Sequence, residues 1–280
     1  MFHVKKMQPS DFSFAVDIAN TMSWNMTVED FKFNKSLEPD GCFVLLDDSK
    51  RVGIATCISY GRVGWFGNLI VKENYRGKGA GSLLINHAVQ YLKSTGASSV
   101  GLYAYEHLVD FYEKLGFKPN ANFSVLKAQA VLCTNNADKA NRADEGNLQG
   151  ISDFDCRCFG ASREKLLKKI ICENANPSYV AAEDDCLVGY ATAKVYDEMT
   201  EIGPMLCLRR YSGHASKLLN SILDKLEGTT AFICLPTADT ALLDLAVKAG
   251  FKKKFGVARM FLGAAIAQDC IYLAESLERG

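Results

Sequence analysis

Residues 74–84 read Asn74-Tyr75-Arg76-Gly77-Lys78-Gly79-Ala80-Gly81-Ser82-Leu83-Leu84, and their reading decides the fold. Three glycines fall within five residues, beside two cations. The stretch runs into a segment whose apolar positions, Leu83, Leu84, Ala88, Tyr91 and Leu92, recur with helical spacing. A helix N-terminus leaves its first backbone N–H groups unpaired and carries about half a positive charge. Glycines let the preceding loop turn its amides inward and let an anion approach closely. Such a start suits a phosphate or pyrophosphate. A tight strand-to-helix connection is the plainer alternative, but three glycines and two cations exceed what a turn needs. The stretch lacks the Gly-Lys-Ser/Thr ending of a nucleotide-hydrolysing loop. Its glycine spacing also misses the dinucleotide fingerprint.

The flanking sequence alternates strand and helix signals. Before the loop, "HVKKM" reads as a strand, and Ser10 or Asp11 opens a helix to about Met22. Thr27 and Asp30 have capping-box spacing for a second helix to about Asn34. "CFVLLDD", "VGIATCISYG" and "VGWFGNLIV" then read as strands. After the loop helix come the strand "SVGLYAY", a short helix in "HLVDFYEKLGF" ended by Gly116, and the strand "FSVLKAQAVLC". "TNNADKANRADEGN" is polar and reads as a linker. Beyond it, "SREKLLKKIICEN" is helical, and "SYVAAEDDCLVGYATAKV" is a hairpin turning at Asp184 and Asp185.

The chain repeats itself. Arg76–Lys118 laid over Arg210–Lys252, an offset of 134 without a gap, gives fifteen identities in 43 positions, against about three by chance. A shared generic helix-strand-helix pattern would match hydrophobic classes, not this many identities. The copies differ where chemistry is at stake. Gly77 and Lys78 become Tyr211 and Ser212, and Tyr112 becomes Ala246.

Arg76-Gly77-Lys78-Gly79-Ala80-Gly81 resembles the Arg/Gln-x-x-Gly-x-Gly/Ala signature of the GNAT superfamily of acyl-CoA-dependent N-acetyltransferases. "FYEKLGF" (Phe111 to Phe117) resembles that superfamily's later helix, with Tyr112 at its tyrosine position. The second half shows Arg210-x-x-Gly213-x-Ala215, and "DFDCRCFGASREKLL" (Asp153 to Leu167) resembles the opening of the C-terminal domain of tandem-GNAT proteins. The resemblance implies an α/β (α+β) fold of two tandem GNAT-like domains, each a mixed, mostly antiparallel sheet flanked by helices. Residues 1–134 would be the catalytic, acetyl-CoA-binding domain, 135–147 the linker, and 148–280 a degenerate C-terminal copy. Acetyl-CoA would be the co-substrate, and the reaction acetyl transfer to a primary amine.

On that resemblance Gly77, Lys78, Gly79, Ala80, Gly81 and Ser82 hold the CoA pyrophosphate, with Arg76 flanking. Main-chain groups of Leu69, Ile70 and Val71 pair with the pantetheine arm on a strand that splays from its neighbour. Tyr112 is the general acid for the leaving thiolate; read without the family it is a packed aromatic. Many relatives carry a glutamate base where this chain has Val63, Gly64, Trp65 and Phe66. Glu106, His107 or water relays are the remaining candidates. Relatives often have asparagine seven residues before the tyrosine, and here that residue is Tyr105. Acceptor choice often comes from the helices between the first two strands, about Ser10 to Pro39. There Glu29, Asp30, Glu38 and Asp40 either attract a cationic amine or form a solvated face, and Trp24 walls the cleft or packs in the core. A non-catalytic acyl-CoA-binding or sensing protein is the alternative.

Bulk properties bound the rest. The chain has 280 residues, room for two domains. Lys plus Arg equals Asp plus Glu at 32 each, which argues against nucleic-acid or anionic-membrane partners and leaves a small-molecule or peptide amine. No apolar run reaches about 20 residues and the start shows no signal-peptide core, so a cytoplasmic protein is expected. Ten cysteines are scattered without a metal-site spacing, Cys156 and Cys158 being the one close pair. They read as reduced, mostly buried thiols, Cys42, Cys57, Cys133, Cys207 and Cys234 lying in apolar segments. No metal is expected.

Overall fold

The computed structural model describes residues 1–132, 139–173, 175–196, 199–266 and 269–280. It divides into two compact units. The first comprises Met1–Leu102, Phe261–Ala264 and Arg279, and the second Tyr103–Met260, Ala265–Glu278 and Gly280.

In the first unit β1 (Phe2–Lys6) is followed by α1 (Phe12–Asn20), α2 (Val28–Leu37), β2 (Cys42–Asp47), β3 (Lys50–Ser59), β4 (Val63–Val71), α3 (Ala80–Ser94) and β5 (Ser99–Tyr105), whose last three residues belong to the second unit. The strands stand in the order β1-β2-β3-β4-β5. The first three pairings are antiparallel and β4–β5 is parallel. Alternation sets the packing. Cys42, Val44, Leu46, Ile54 and Ile70 join Phe12, Ala15, Ile18 and Phe31 of α1 and α2 in one buried cluster. Helix α2 begins as its sequence predicts: the Thr27 amide donates to Asp30 (2.8 Å). Asp11 does more than open α1. Its fully buried carboxylate accepts from the Gln8 amide (2.9 Å), Arg51 (2.6 Å) and Lys5 (3.1 Å).

The second unit carries α4 (Val109–Glu113), β6 (Lys118–Ala128), β7 (Asn141–Arg142), α5 (Leu148–Phe159), α6 (Glu164–Ile171), β8 (Ser178–Glu183), β9 (Cys186–Val195), β10 (Thr200–Leu208), α7 (Ser212–Lys225), β11 (Ala231–Pro236), α8 (Thr240–Lys248), most of β12 (Lys252–Leu262) and β13 (Cys270–Leu273). Its sheet runs β12-β6-β11-β10-β9-β8-β7, with β13 also on β10. The β10–β11 pairing is parallel; β6–β11, β8–β9 and β9–β10 are antiparallel. The expected hairpin turns at Asp184 (φ +47°) and Asp185 (φ +60°). At the 134-residue offset α3, β5 and α4 fall on α7, β11 and α8, so the sequence repeat is a repeat of structure.

The compact units do not follow the boundary drawn at 135–147. Strand β6, from the first copy, pairs with β11 of the second, and Phe261–Ala264 of the second copy belong to the first unit. Strand β6 of the first copy is thus part of the second unit's sheet. Residues 133–138, Cys133 and the start of the expected linker among them, lie outside the described residues. The described remainder is folded: β7 pairs with β8, and Asp144 caps a short 3-10 turn through the Gly146 amide (2.9 Å). Helix α5 is not anticipated by the sequence reading.

The cysteine expectation needs one correction. Cys158 at the end of α5 is disulfide-bonded to Cys270 on β13, 112 residues away. That separation hides the pairing from any reading of spacing. Cys42, Cys57, Cys207 and Cys234 are free and buried as expected, whereas free Cys172 and Cys186 are exposed. No helix among the described residues is long and apolar enough to cross a membrane.

Candidate active site

Strand β4 enters the glycine-rich loop with a defect. Ile54 stands opposite Ile70 and Thr56 opposite Gly67, so β4 holds one residue more than β3 between those pairs. The extra residue is a β-bulge, and Asn68 within it has φ +49°. Its side chain donates to the Thr56 hydroxyl (3.2 Å), which offsets its burial. On the other edge, β4 pairs with β5 through Val63–Trp65 against Ser99–Gly101. From Phe66 onward no β4–β5 pairing is present among the described residues, so the strands part at the bulge. Leu69 is half-buried, and Ile70 and Val71 are buried by side chain. Their side chains pack the sheet, and only main-chain groups remain for other work.

A short 3-10 turn, Glu73–Tyr75, leads to Arg76, whose Nε–H donates to the Val71 carbonyl (2.9 Å) and ties loop to strand end. Gly77 (φ +72°) and Gly79 (φ +81°) are left-handed. A Cβ on either would meet nothing within 4 Å, so glycine is needed there for its backbone angle and not for space. Gly79 is the N-cap of α3, and no side chain caps the helix. The first-turn amides of Ala80, Gly81 and Ser82 therefore have no capping side chain as acceptor. Lys78 folds over the loop, its ammonium donating to the Asn74 carbonyl (2.9 Å) and lying 5.8 Å from the Tyr75 ring centre. Gly77, Lys78 and Gly79 are exposed. The first unit thus gathers Leu69–Val71 and Arg76–Ser82 into one strand-loop-helix junction with an open, amide-rich mouth.

The corresponding junction of the second copy is shorter, and its Gly213 is not left-handed. Eight residues, 72–79, separate β4 from α3, whereas three, 209–211, separate β10 from α7. Helix α7 starts at Ser212, which absorbs Gly213 into its first turn. The Arg210 guanidinium lies 5.0 Å over the Tyr211 ring, and His214 contacts Glu183 at 2.9 Å. Cys207 Sγ lies 3.3 Å from the Tyr211 carbonyl. Tyr211 and Ser212 stand where the first copy has Gly77 and Lys78, while Ser212 and Gly213 stay exposed.

Tyr112 belongs to the second unit, on α4. It is 5% exposed, with its ring against Phe111 (5.2 Å) and Phe117 (5.9 Å). Burial pushes its phenol well above the usual value of 10.0. The group keeps its proton through the neutral range. Ala246 on α8, its counterpart, is fully buried and offers no proton. Glu106 and His107 are exposed, and His107 stacks on Tyr105 at 5.8 Å.

On β4, Val63, Gly64, Trp65 and Phe66 are buried, and Trp65 meets Phe261 edge-on at 5.9 Å. Gly101 makes room for it, since a Cβ there would lie 2.4 Å from the indole. No titratable group occupies this stretch. Around α2, Glu29 pairs with Lys32 (2.6 Å), Asp30 caps its helix, and Asp40 pairs with Lys6 (2.9 Å). Glu38 accepts from Tyr91 (2.5 Å) and the Ser59 amide (3.1 Å). All four carboxylates are engaged locally. Trp24 is half-buried against the cluster under α1 and α2.

A family model described as "Acetyltransferase (GNAT) family" matches residues 12–117. A second, "Acetyltransferase (GNAT) domain", matches residues 151–272. The chain belongs to the GNAT superfamily. It is a tandem-domain member and an acyltransferase by family. It is 32% identical over 98 residues to an uncharacterized N-acetyltransferase of Methanocaldococcus jannaschii, a match spanning 43% of that protein. It is 23% identical to the holothin acyltransferase of a Pseudoalteromonas species over 86% of this chain and 81% of that one. Among solved structures, a proposed acetyltransferase of Pyrococcus horikoshii superposes with a TM-score of 0.80 at 19% identity, covering 100% of this chain and 96% of that one. A tandem GNAT protein of clavulanic acid biosynthesis gives 0.64 at 12% identity, covering 95% and 100%. At these identities the structural likeness speaks to the fold. The bulge at Asn68 escaped the sequence reading; its only signal was an asparagine after glycine inside an apolar strand.

Proposed function

We propose that the first GNAT copy transfers the acetyl group of acetyl-CoA to a primary amine, and that the second copy is a degenerate partner without a CoA site. The observation that carries this is the contrast between the two junctions: two left-handed glycines in an eight-residue loop before the helix in one, and a three-residue turn with Tyr211 and Ser212 in place of Gly77 and Lys78 in the other. The free amides of residues 77–82 hold the pyrophosphate, assisted by the partial positive charge of α3 and by Arg76. The β4 edge released beyond Trp65 pairs with the pantetheine arm through Leu69, Ile70 and Val71. An N–H at the bulge donates to the thioester oxygen as negative charge develops there.

The amine nitrogen attacks the carbonyl carbon, the C–S bond breaks, and Tyr112 donates its phenolic proton to the sulfur. The role rests on Tyr112 standing at the family's tyrosine position; its phenol is protonated at neutral pH, and its raised pKa makes it a weaker acid than an ordinary tyrosine. The attacking amine loses its own proton to water, because β4 presents no carboxylate. That missing carboxylate favours a second reading, in which the chain binds acyl-CoA without turning it over. Following thiol release from acetyl-CoA across a panel of amines decides between them. Release that depends on an added amine supports the enzyme. Tight CoA binding with no amine-dependent release supports the sensor.

A further inference from the structure

Among the described residues, Asn68 alone of the non-glycines is left-handed inside a strand; Ser23, Asn25, Asp48, Asp184 and Asp185 lie between elements. L-residues disfavour that backbone region, and one persists there only where its surroundings fix it. Here the fixing group sits on the neighbouring strand. The Asn68 Nδ2–H donates to the Thr56 hydroxyl (3.2 Å), with Asn68 8% and Thr56 1% exposed. Thr56 faces Gly67, the residue before the bulge, so the bond runs from β4's extra residue to β3. The second copy supplies the contrast. Its β10 has a bulge of the same count: Ala193 faces Ile202 and Ala191 faces Met205, which leaves Gly203 and Pro204 against Thr192. Gly203 then stands in the place of Asn68, Pro204 in that of Leu69, and Ala193 in that of Thr56. Proline has no N–H and alanine no hydroxyl. Latch and donor are missing together in the second copy.

We propose that Thr56 is a positioning residue: its hydroxyl holds Asn68 left-handed and thereby aims the Leu69 N–H at the thioester carbonyl oxygen of bound acetyl-CoA. The inference rests on the acetyl-transfer reading for its ligand, and adds to it the side chain that sets the donor's direction. A donor fixed before charge develops on the oxygen needs no reorganisation during the reaction. Thr56 itself touches neither substrate nor cofactor; it acts through Asn68.

The test titrates acetyl-CoA and S-ethyl-coenzyme A, the thioether without the carbonyl oxygen, into the full-length chain by calorimetry. The wild type is expected to bind acetyl-CoA roughly threefold to tenfold tighter, the range of one neutral hydrogen bond. Thr56→Val keeps the shape and drops the hydroxyl. It is expected to bind the two ligands equally, with S-ethyl-coenzyme A held as in the wild type. Thr56→Ser, which keeps the hydroxyl, is expected to keep the preference. A Thr56→Val protein that melts earlier but still prefers acetyl-CoA as the wild type does has lost only a structural contact, and overturns the proposal. If Thr56→Val melts before it can be titrated, Asn68→Ala reads the latch instead, since alanine is neither held by Thr56 nor at ease at φ +49°. An undiminished preference there overturns the proposal equally. A wild type that binds both ligands alike overturns the proposal and leaves the CoA site standing. A wild type that binds neither removes the acetyl-CoA reading and this inference with it, so the two failures are distinguishable.

Discussion

Replacing Tyr112 with phenylalanine removes one oxygen from a ring that Phe111 and Phe117 hold in place. Packing survives and the proton does not. Tyr112→Phe is expected to lower turnover about 10²–10⁴-fold while CoA affinity changes little. Equal turnover in stopped assays of both proteins removes Tyr112 from the mechanism. Because burial raises this phenol above 10.0, the alkaline loss of turnover that depends on Tyr112 begins above that pH. At this scale the sequence was informative where a side chain's identity is its function. It was silent on Asn68, because a bulge is a property of two strands' registers, and on Cys158, whose partner lies 112 residues away.

The junction of β4, loop and α3 is the element on which CoA binding depends. Gly79→Ala introduces a methyl group that clashes with nothing within 4 Å, but at φ +81° it strains the backbone by about 1–2 kcal/mol. The loop is expected to relax away from its open form, weakening CoA at least about tenfold with a near-normal melting temperature. Unchanged CoA affinity would mean the loop's angles do not matter. Helices α5 and α6 meet another critical knot. Arg163 and Asp155, both fully buried, pair through two hydrogen bonds (3.1 and 2.6 Å), with Tyr190 and Tyr272 around them. Asp155→Asn leaves a buried cation short of its counter-charge, and is expected to cost about 3–5 kcal/mol in denaturant unfolding. A loss below about 1 kcal/mol contradicts this. Strands β4 and β5 and the capping box of α2 were legible to the residue, since alternation and caps are local. Helix α5 was not, because its polar face and paired cysteines obscure its apolar stripe.

Across the whole molecule, buried and half-buried tyrosines resist ionisation in the folded chain. Desolvation raises Tyr91, Tyr103, Tyr112, Tyr190 and Tyr272 above the usual 10.0. Below that pH their contribution is complete. Above it the unfolded chain ionises while the folded chain does not, so stability falls as pH rises. Asp11 works with the opposite sign. Desolvation raises its pKa, but the Gln8 amide, Arg51 and Lys5 outweigh it and hold the carboxyl below 3.8, so its contribution is lost as pH falls through that region. Denaturant midpoints are expected to decline steeply from about pH 10 upward, and a flat profile there contradicts the assignment. The duplication was legible from fifteen identities at one offset, yet the pairing of β6 with β11 of the second copy was not, because strand pairing across 100 residues leaves no local trace. Isothermal titration of the intact chain with acetyl-CoA bears most directly on the central claim, that one glycine-rich junction of two grips the diphosphate. The account predicts one site per chain; no heat, or two equivalent sites, would contradict it.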